Sequence, residues 1–123
     1  MIHLLLLEDD VTLGDTMRDR LEGEGYKVTL ARDVKTAKEE CDKNDFSLLV
    51  VDVGLPDGSG FEFAKSVRRK KAVPFIFVTA QSGAEDRLKG YEIGAEEFIP
   101  KPFHLREFLL RVKHVLDNHA RHK

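Results

Sequence analysis

The chain has 123 residues, 41% hydrophobic and 34% charged with 9 Gly and 4 Pro, which is the make-up of one compact domain rather than a disordered or collagen-like polymer. Its one cysteine, Cys41, excludes a disulfide framework and a cysteine-based zinc site, and fits a reducing compartment. The 20 basic and 22 acidic side chains leave a net charge of -2, which argues against binding nucleic acid by bulk electrostatics, and no apolar run approaches the roughly 20 residues that span a bilayer.

The first apolar run, Ile2 to Leu7, is too short for a signal peptide and ends in Glu8, Asp9 and Asp10, so a cytoplasmic chain without a membrane partner is expected. A continuous apolar run of this length reads as a strand covered on both faces. Leu13, Met17 and Leu21, spaced by four, predict a helix that stops at Gly25. Lys27 to Leu30 alternates instead, as a half-exposed edge strand does. Val34, Ala37 and Cys41 make a second helical stripe, and Ser47 to Val51 a second buried-strand run. Ser59 with Glu62, and Ser82 with Glu85, match the capping box of serine followed by glutamate three residues later. They open helices carrying Phe61, Ala64 and Val67, then Ala84, Leu88 and Tyr91.

Between those two helices, the basic run Arg68 to Lys71 reads as a solvated helix end whose cations suit the dipole, and Pro74 to Thr79 as a third buried strand. Glu97 to Pro100 is a weaker strand that its proline places at an edge. The last helix carries Leu105, Phe108, Leu109, Val112, Val115 and Leu116. Residues 1–117 form one domain, and 118–123 a polar tail or the start of a linker, where His119 and His122 read as part of a frayed terminus rather than a metal site. The order is βα repeated five times, and such units connect with one hand. The expected fold is α/β, a doubly wound five-stranded parallel sheet with helices on both faces, (βα)5 flavodoxin-like, in strand order 2-1-3-4-5.

In such sheets ligands bind beyond the carboxyl ends of the strands. Glu8 and Asp9 follow the first strand, Asp52 the third, Thr79 the fourth and Lys101 the fifth, while Asp10, just before Val11, is better explained as a helix cap. Alone, each reads as a turn acid, a strand hydroxyl or a surface cation. Together they are specific, because clustered carboxylates raise each other's pKa unless a cation neutralises them. Oxygen donors without adjacent Cys or His suit Mg²⁺ or Mn²⁺, and Mg²⁺ commonly completes its shell with phosphate oxygens. A phosphoryl group beside Asp52 would supply those oxygens, with Lys101 and the Thr79 hydroxyl on the others. Competing phosphate chemistries lack their patterns. There is no G-x-x-x-x-G-K-[ST] and no G-x-G-x-x-G after the first strand. A haloacid-dehalogenase-like phosphatase needs a second Asp where Gly54 stands, and the acids after the first strand would repel the FMN phosphate that flavodoxins hold there.

The segments LLLLEDD, LLVVDVGLPDGSG, PFIFVTAQ and GAEEFIPKPF, in this order and spacing, resemble the receiver domain of two-component response regulators across essentially the whole chain. The resemblance implies that Asp52 accepts a phosphoryl group from a sensor histidine kinase in a signalling switch that partly catalyses its own phosphorylation and dephosphorylation. It implies a Mg²⁺ site formed by Glu8, Asp9, Asp52 and the backbone carbonyl of Gly54. Thr79 becomes the switch hydroxyl, Phe98 the switch aromatic, Lys101 the phosphate-pairing lysine and Pro102 a cis proline. Gly54 and Gln81 fall at the mouth of the site, where Gln81 either orients or obstructs a water. A phosphate-independent binding module of the same fold is the alternative, and the intact Glu8, Asp9, Asp52, Thr79 and Lys101 favour the switch. GYEIGAEEFIPKPF with Glu107 and Arg111 further resembles winged-helix regulators of the OmpR/PhoB type, in which a DNA-binding effector domain follows the receiver. That implies a homodimer on phosphorylation, with Arg87, Glu97, Glu107 and Arg111 pairing across a two-fold axis, control of transcription, and DNA contact only through an effector domain outside this chain.

Overall fold

Five strands and five helices alternate along the chain in a computed structural model that describes residues 1–121. The strands are β1 (His3–Leu7), β2 (Lys27–Ala31), β3 (Leu48–Val51), β4 (Phe75–Thr79) and β5 (Glu97–Pro100). The helices are α1 (Val11–Gly23), α2 (Val34–Lys43), α3 (Gly60–Arg68), α4 (Ala84–Ile93) and α5 (Leu105–Arg121). All pairings in the main sheet are parallel, in the spatial order β2-β1-β3-β4-β5. This is the expected doubly wound topology, with both weaker strands at the edges. A two-residue antiparallel hairpin, Gly54–Leu55 against Gly58–Ser59, follows β3.

Apart from His3 and Thr79 at their ends, the three central strands are apolar throughout because both faces of the sheet are covered. Leu5, Leu7, Leu49, Val51, Phe75 and Phe77 pack with Ala37 and Cys41 of α2 and Phe61 and Ala64 of α3. Leu4, Leu6, Leu48, Val50, Ile76 and Val78 pack with Met17 and Leu21 of α1 and Phe108 and Val112 of α5. Each such side chain taken from water contributes about 1.5–3 kcal/mol before conformational entropy is counted. The helix ends follow local chemistry. Asp10 caps α1 by accepting the Leu13 N–H at 2.9 Å. At the other end Gly25 takes φ +95, and the Gly25 and Tyr26 N–H groups return to the Glu22 and Leu21 carbonyls at 3.0 and 3.3 Å.

The structure corrects the expectation for α4. The cap is Gly83 rather than Ser82, and Asp86 instead of Glu85 reaches back to it, accepting the Gly83 N–H at 3.3 Å. Leu88 and Tyr91, whose spacing marked the helix, are 60% and 50% exposed, whereas Gly90 is buried. The reason is close packing: a Cβ at Gly90 would lie 2.7 Å from Phe98 Cδ2 and 3.2 Å from Phe77 Cδ2, so α4 turns its smallest residue to the sheet. At the end of the chain α5 continues as helix through residues 118–121, and His119 Nε2 lies 2.6 Å from Glu96 Oε1. His122 lies outside the described residues. Among the described residues no helix is long and apolar enough to cross a membrane.

Candidate functional site

Strand register builds the site. Leu7 pairs with Val51 across β1 and β3, so the residues that follow them, Glu8 and Asp52, leave the sheet side by side. Thr79 pairs with Pro100 across β4 and β5, and the next residue, Lys101, donates its N–H to the Thr79 carbonyl at 3.0 Å. The chain reverses direction of travel across the sheet at β1, which opens the crevice between the β1 and β3 ends.

Glu8, Asp52 and Thr79 are the buried polar residues of the described chain. Lys101 Nζ joins two of them, at 2.7 Å to Glu8 Oε1 and 2.9 Å to Asp52 Oδ2. The other carboxylate oxygens are also held. Glu8 Oε2 accepts the Asp10 N–H at 3.1 Å, and Asp52 Oδ1 accepts the Val53 N–H at 2.7 Å, which fixes the Asp52 carboxylate plane. Burial pushes the Glu8 carboxyl above its usual range, with the Asp52 charge adding to the rise, and the bonds from Lys101 and Asp10 only partly offset it. Burial alone would lower the lysine, but its bonds to Glu8 and Asp52 outweigh that and raise its pKa.

Asp9 stands exposed at the rim, and carboxylate oxygens of Glu8, Asp9 and Asp52 lie within 4.8 Å of one another. Three hard oxygen donors against one lysine leave an excess of negative charge, and this donor set fits a small divalent cation such as Mg²⁺. The Thr79 hydroxyl accepts the Gln81 N–H at 3.1 Å. Gly54 is exposed, and a side chain begun there would find only Gln81 Oε1 nearby, at 3.9 Å, so the entrance beside Asp52 is open. The Lys101–Pro102 peptide is cis. Phe98 is turned into the core, 5.9 Å from the Phe77 ring and 6.4 Å from Tyr91.

Of the four expected interface charges, three form one network within the chain. Arg111 reaches Glu97 at 2.6 Å and Glu107 at 2.9 Å, while Arg87 is exposed on α4. Two supporting residues escaped the sequence reading. Asp57, at the tip of the short hairpin, accepts the Val34 and Lys35 N–H groups at 2.8 and 3.0 Å and so ties the loop after Asp52 to the start of α2. Nothing local marks that contact; Asp57-Gly58 reads simply as a turn. Gly60 opens α3 directly beneath Asp52, where a Cβ would fall 2.0 Å from the Asp52 carbonyl oxygen. Glycine in the first turn of a helix, where almost any residue propagates better, was the available signal.

The family model for the response regulator receiver domain matches residues 4–113. The transcriptional regulatory protein RprY of Bacteroides fragilis is 39% identical over 116 residues, covering 94% of this chain and 49% of that protein. The response regulator SaeR of Staphylococcus aureus is 34% identical over 117 residues, 94% of this chain and 51% of that one. The chain thus spans about half the length of the curated relatives it matches. Among solved structures, the non-phosphorylated HemR receiver domain from Leptospira biflexa superposes with a TM-score of 0.89 at 49% identity, covering 94% of each chain. A CheY-like receiver domain protein from Methanospirillum hungatei superposes at 0.94 with 27% identity, over 100% of this chain and 99% of that one.

Proposed function

Because this chain belongs to the response regulator receiver domain family of two-component signalling, we propose that Asp52 is its phosphoacceptor and a sensor histidine kinase its phosphodonor. The observation that carries the reading is the position of Lys101, shared between Glu8 and Asp52 at the paired ends of β1 and β3. A buried carboxylate fixed by a lysine and flanked by two further acids that could share a divalent cation with it is a nucleophile placed for attack on a phosphoryl group.

In the transfer, an Asp52 carboxylate oxygen forms a bond to phosphorus as the donor's phosphorus–nitrogen bond breaks. The Val53 N–H keeps the carboxylate in plane throughout. Lys101, released from Asp52 once that carboxylate is esterified, pairs with a phosphoryl oxygen, and the Thr79 hydroxyl donates to another. Glu8, Asp9 and Asp52, with the Gly54 carbonyl, would hold Mg²⁺, which supplies positive charge to the equatorial oxygens. The same groups support intrinsic phosphorylation from small donors and intrinsic dephosphorylation.

The output face of this reading is α4, β5 and α5. Leu88, Tyr91 and Leu110 are exposed there, and Arg87, Glu97, Glu107 and Arg111 supply the charges. A phosphorylated homodimer through that face would release Arg111 from its own Glu97 and Glu107, pairing Arg111 with Glu97, and Arg87 with Glu107, of the second copy. Exposed pairs contribute ~0.2–1 kcal/mol each, so they set register rather than affinity. The resemblance to winged-helix regulators, and a relative named a transcriptional regulatory protein, suggest a cytoplasmic regulator acting on transcription through an effector domain that follows this one. Incubation with acetyl phosphate and Mg²⁺ followed by intact mass tests the acceptor. One phosphoryl adduct is expected, absent from Asp52→Ala and from an EDTA control; no adduct in the native chain overturns the reading.

A further inference from the structure

Gln81 follows β4 two residues after Thr79, and its backbone N–H is tied to the Thr79 hydroxyl at 3.1 Å. Its side-chain amide has chemically distinct ends, and their directions are set by one neighbour. Nε2 donates to Asp86 Oδ1 at 3.2 Å, while Asp86 Oδ2 accepts the Gly83 N–H at 3.3 Å. An ionised carboxylate only accepts hydrogen bonds, so Asp86 selects the NH₂ end of Gln81 and sends the carbonyl end the other way. That end, Oε1, lies 3.9 Å from the point where a Gly54 side chain would begin, over the open entrance to Asp52.

We propose that Asp86 is a positioning residue that aims the Gln81 carbonyl oxygen at the site entrance, where it accepts a hydrogen bond from the water that removes the phosphoryl group from Asp52. This rests on Asp52 being the phosphoacceptor. In the step, the water oxygen forms a bond to phosphorus as the bond from phosphorus to the Asp52 carboxylate oxygen breaks. The products are inorganic phosphate and the free carboxylate, and the water protons pass to phosphate and solvent. An amide oxygen is too weak a base to keep a proton, so Gln81 orients the water and does not act as general base. Asp86 thereby shortens the life of the signal from a place outside the acidic cluster, at the start of the helix that forms part of the output face. The competing role for Asp86 is a cap on α4 alone, since it also holds the Gly83 N–H.

The test charges the full chain with acetyl phosphate and Mg²⁺, removes the donor, and follows loss of the adduct by intact mass in wild type, Asp86→Ala, Gln81→Ala and the double variant. Asp86→Ala and Gln81→Ala are each expected to slow hydrolysis by roughly three- to tenfold, the worth of one hydrogen bond. Both should slow phosphoryl uptake less than they slow hydrolysis. The double variant should be no slower than Gln81→Ala, because Asp86 acts through that side chain. In the unphosphorylated protein without Mg²⁺, the Gln81 side-chain amide signals in a ¹H–¹⁵N spectrum should move on Asp86→Ala. An equal effect of Asp86→Ala with and without Gln81, faster hydrolysis in Gln81→Ala, or unmoved amide signals would each overturn the proposal while leaving the phosphoacceptor intact. No adduct in the wild type overturns the phosphoacceptor reading and the role of Asp86 with it.

Discussion

At the carboxyl end of the sheet Lys101 Nζ is shared by two buried carboxylates, whereas at the amino end Lys71 Nζ is shared by the carbonyls of Cys41 at 2.7 Å and Asn44 at 3.2 Å and by the exposed Asp45 carboxylate at 3.3 Å. The two ammonium groups make bonds of similar length with different consequences. Lys71 closes the end of α2, neutralising carbonyls that water can reach and that already lie at the negative end of a helix dipole. Lys101 bridges two acids that are almost wholly buried, where an unbalanced charge is costly. The amino end is therefore ordinary helix capping. The carboxyl end is a costly concentration of buried charge, of the kind that gathers at functional sites.

The largest expected effect comes from the backbone beneath Asp52. Gly60→Ala places a Cβ against the Asp52 carbonyl and should cost about 3 kcal/mol or more in urea unfolding. Gly58→Ala, whose new Cβ meets only Val34 at an ordinary 3.5 Å, is the control and should stay within about 1 kcal/mol. Equal losses would show that the site end of the molecule is no more tightly built than its loop.

Lys101→Ala should come next, costing about 2–3 kcal/mol at neutral pH because it strands Glu8 and Asp52 together. Millimolar Mg²⁺ should restore part of that, since it returns positive charge to the same acids, and unfolding curves with and without the ion check it. Acid tests the same cluster. Glu8 is held above its usual range by burial, so the folded state binds its proton first. Its contribution to stability therefore rises as pH falls through the interval between the raised value and the ordinary carboxyl value. Glu8→Gln should be more stable than wild type at neutral pH, and the advantage should shrink as acid is added; a pH-independent difference would refute the burial of charge. Smallest is Lys71→Ala, which should lose about 1 kcal/mol and leave phosphoryl uptake as in wild type. Impaired uptake there would break the division between the two ends.

The expected α4 shows where local pattern stops carrying information. Ala84, Leu88 and Tyr91 are spaced for a helix, and a helix forms, yet the face they define is turned outward. Three apolar residues at helical spacing state that a helix is possible. Which side meets the sheet follows Gly90, where the helix comes too close to the Phe98 and Phe77 rings to leave room for a side chain. The same holds for Asp57 on α2 and for Asp86 on Gln81, contacts made by side chains whose own neighbours in the chain give no hint of them.

The amino-acid order alone determined the five strands, their parallel sheet and the set of residues at their carboxyl ends, because strands buried on both faces leave unbroken apolar runs and the acids, hydroxyl and lysine come directly after them. The tertiary structure decided how those residues share charge: the strand register that sets Glu8 beside Asp52, the reach of Lys101 to both, and the close approach of Gly60 beneath Asp52. The contacts of Glu8, Asp52 and Lys101 join residues tens of positions apart, and distance along the chain erases any local period that would announce them.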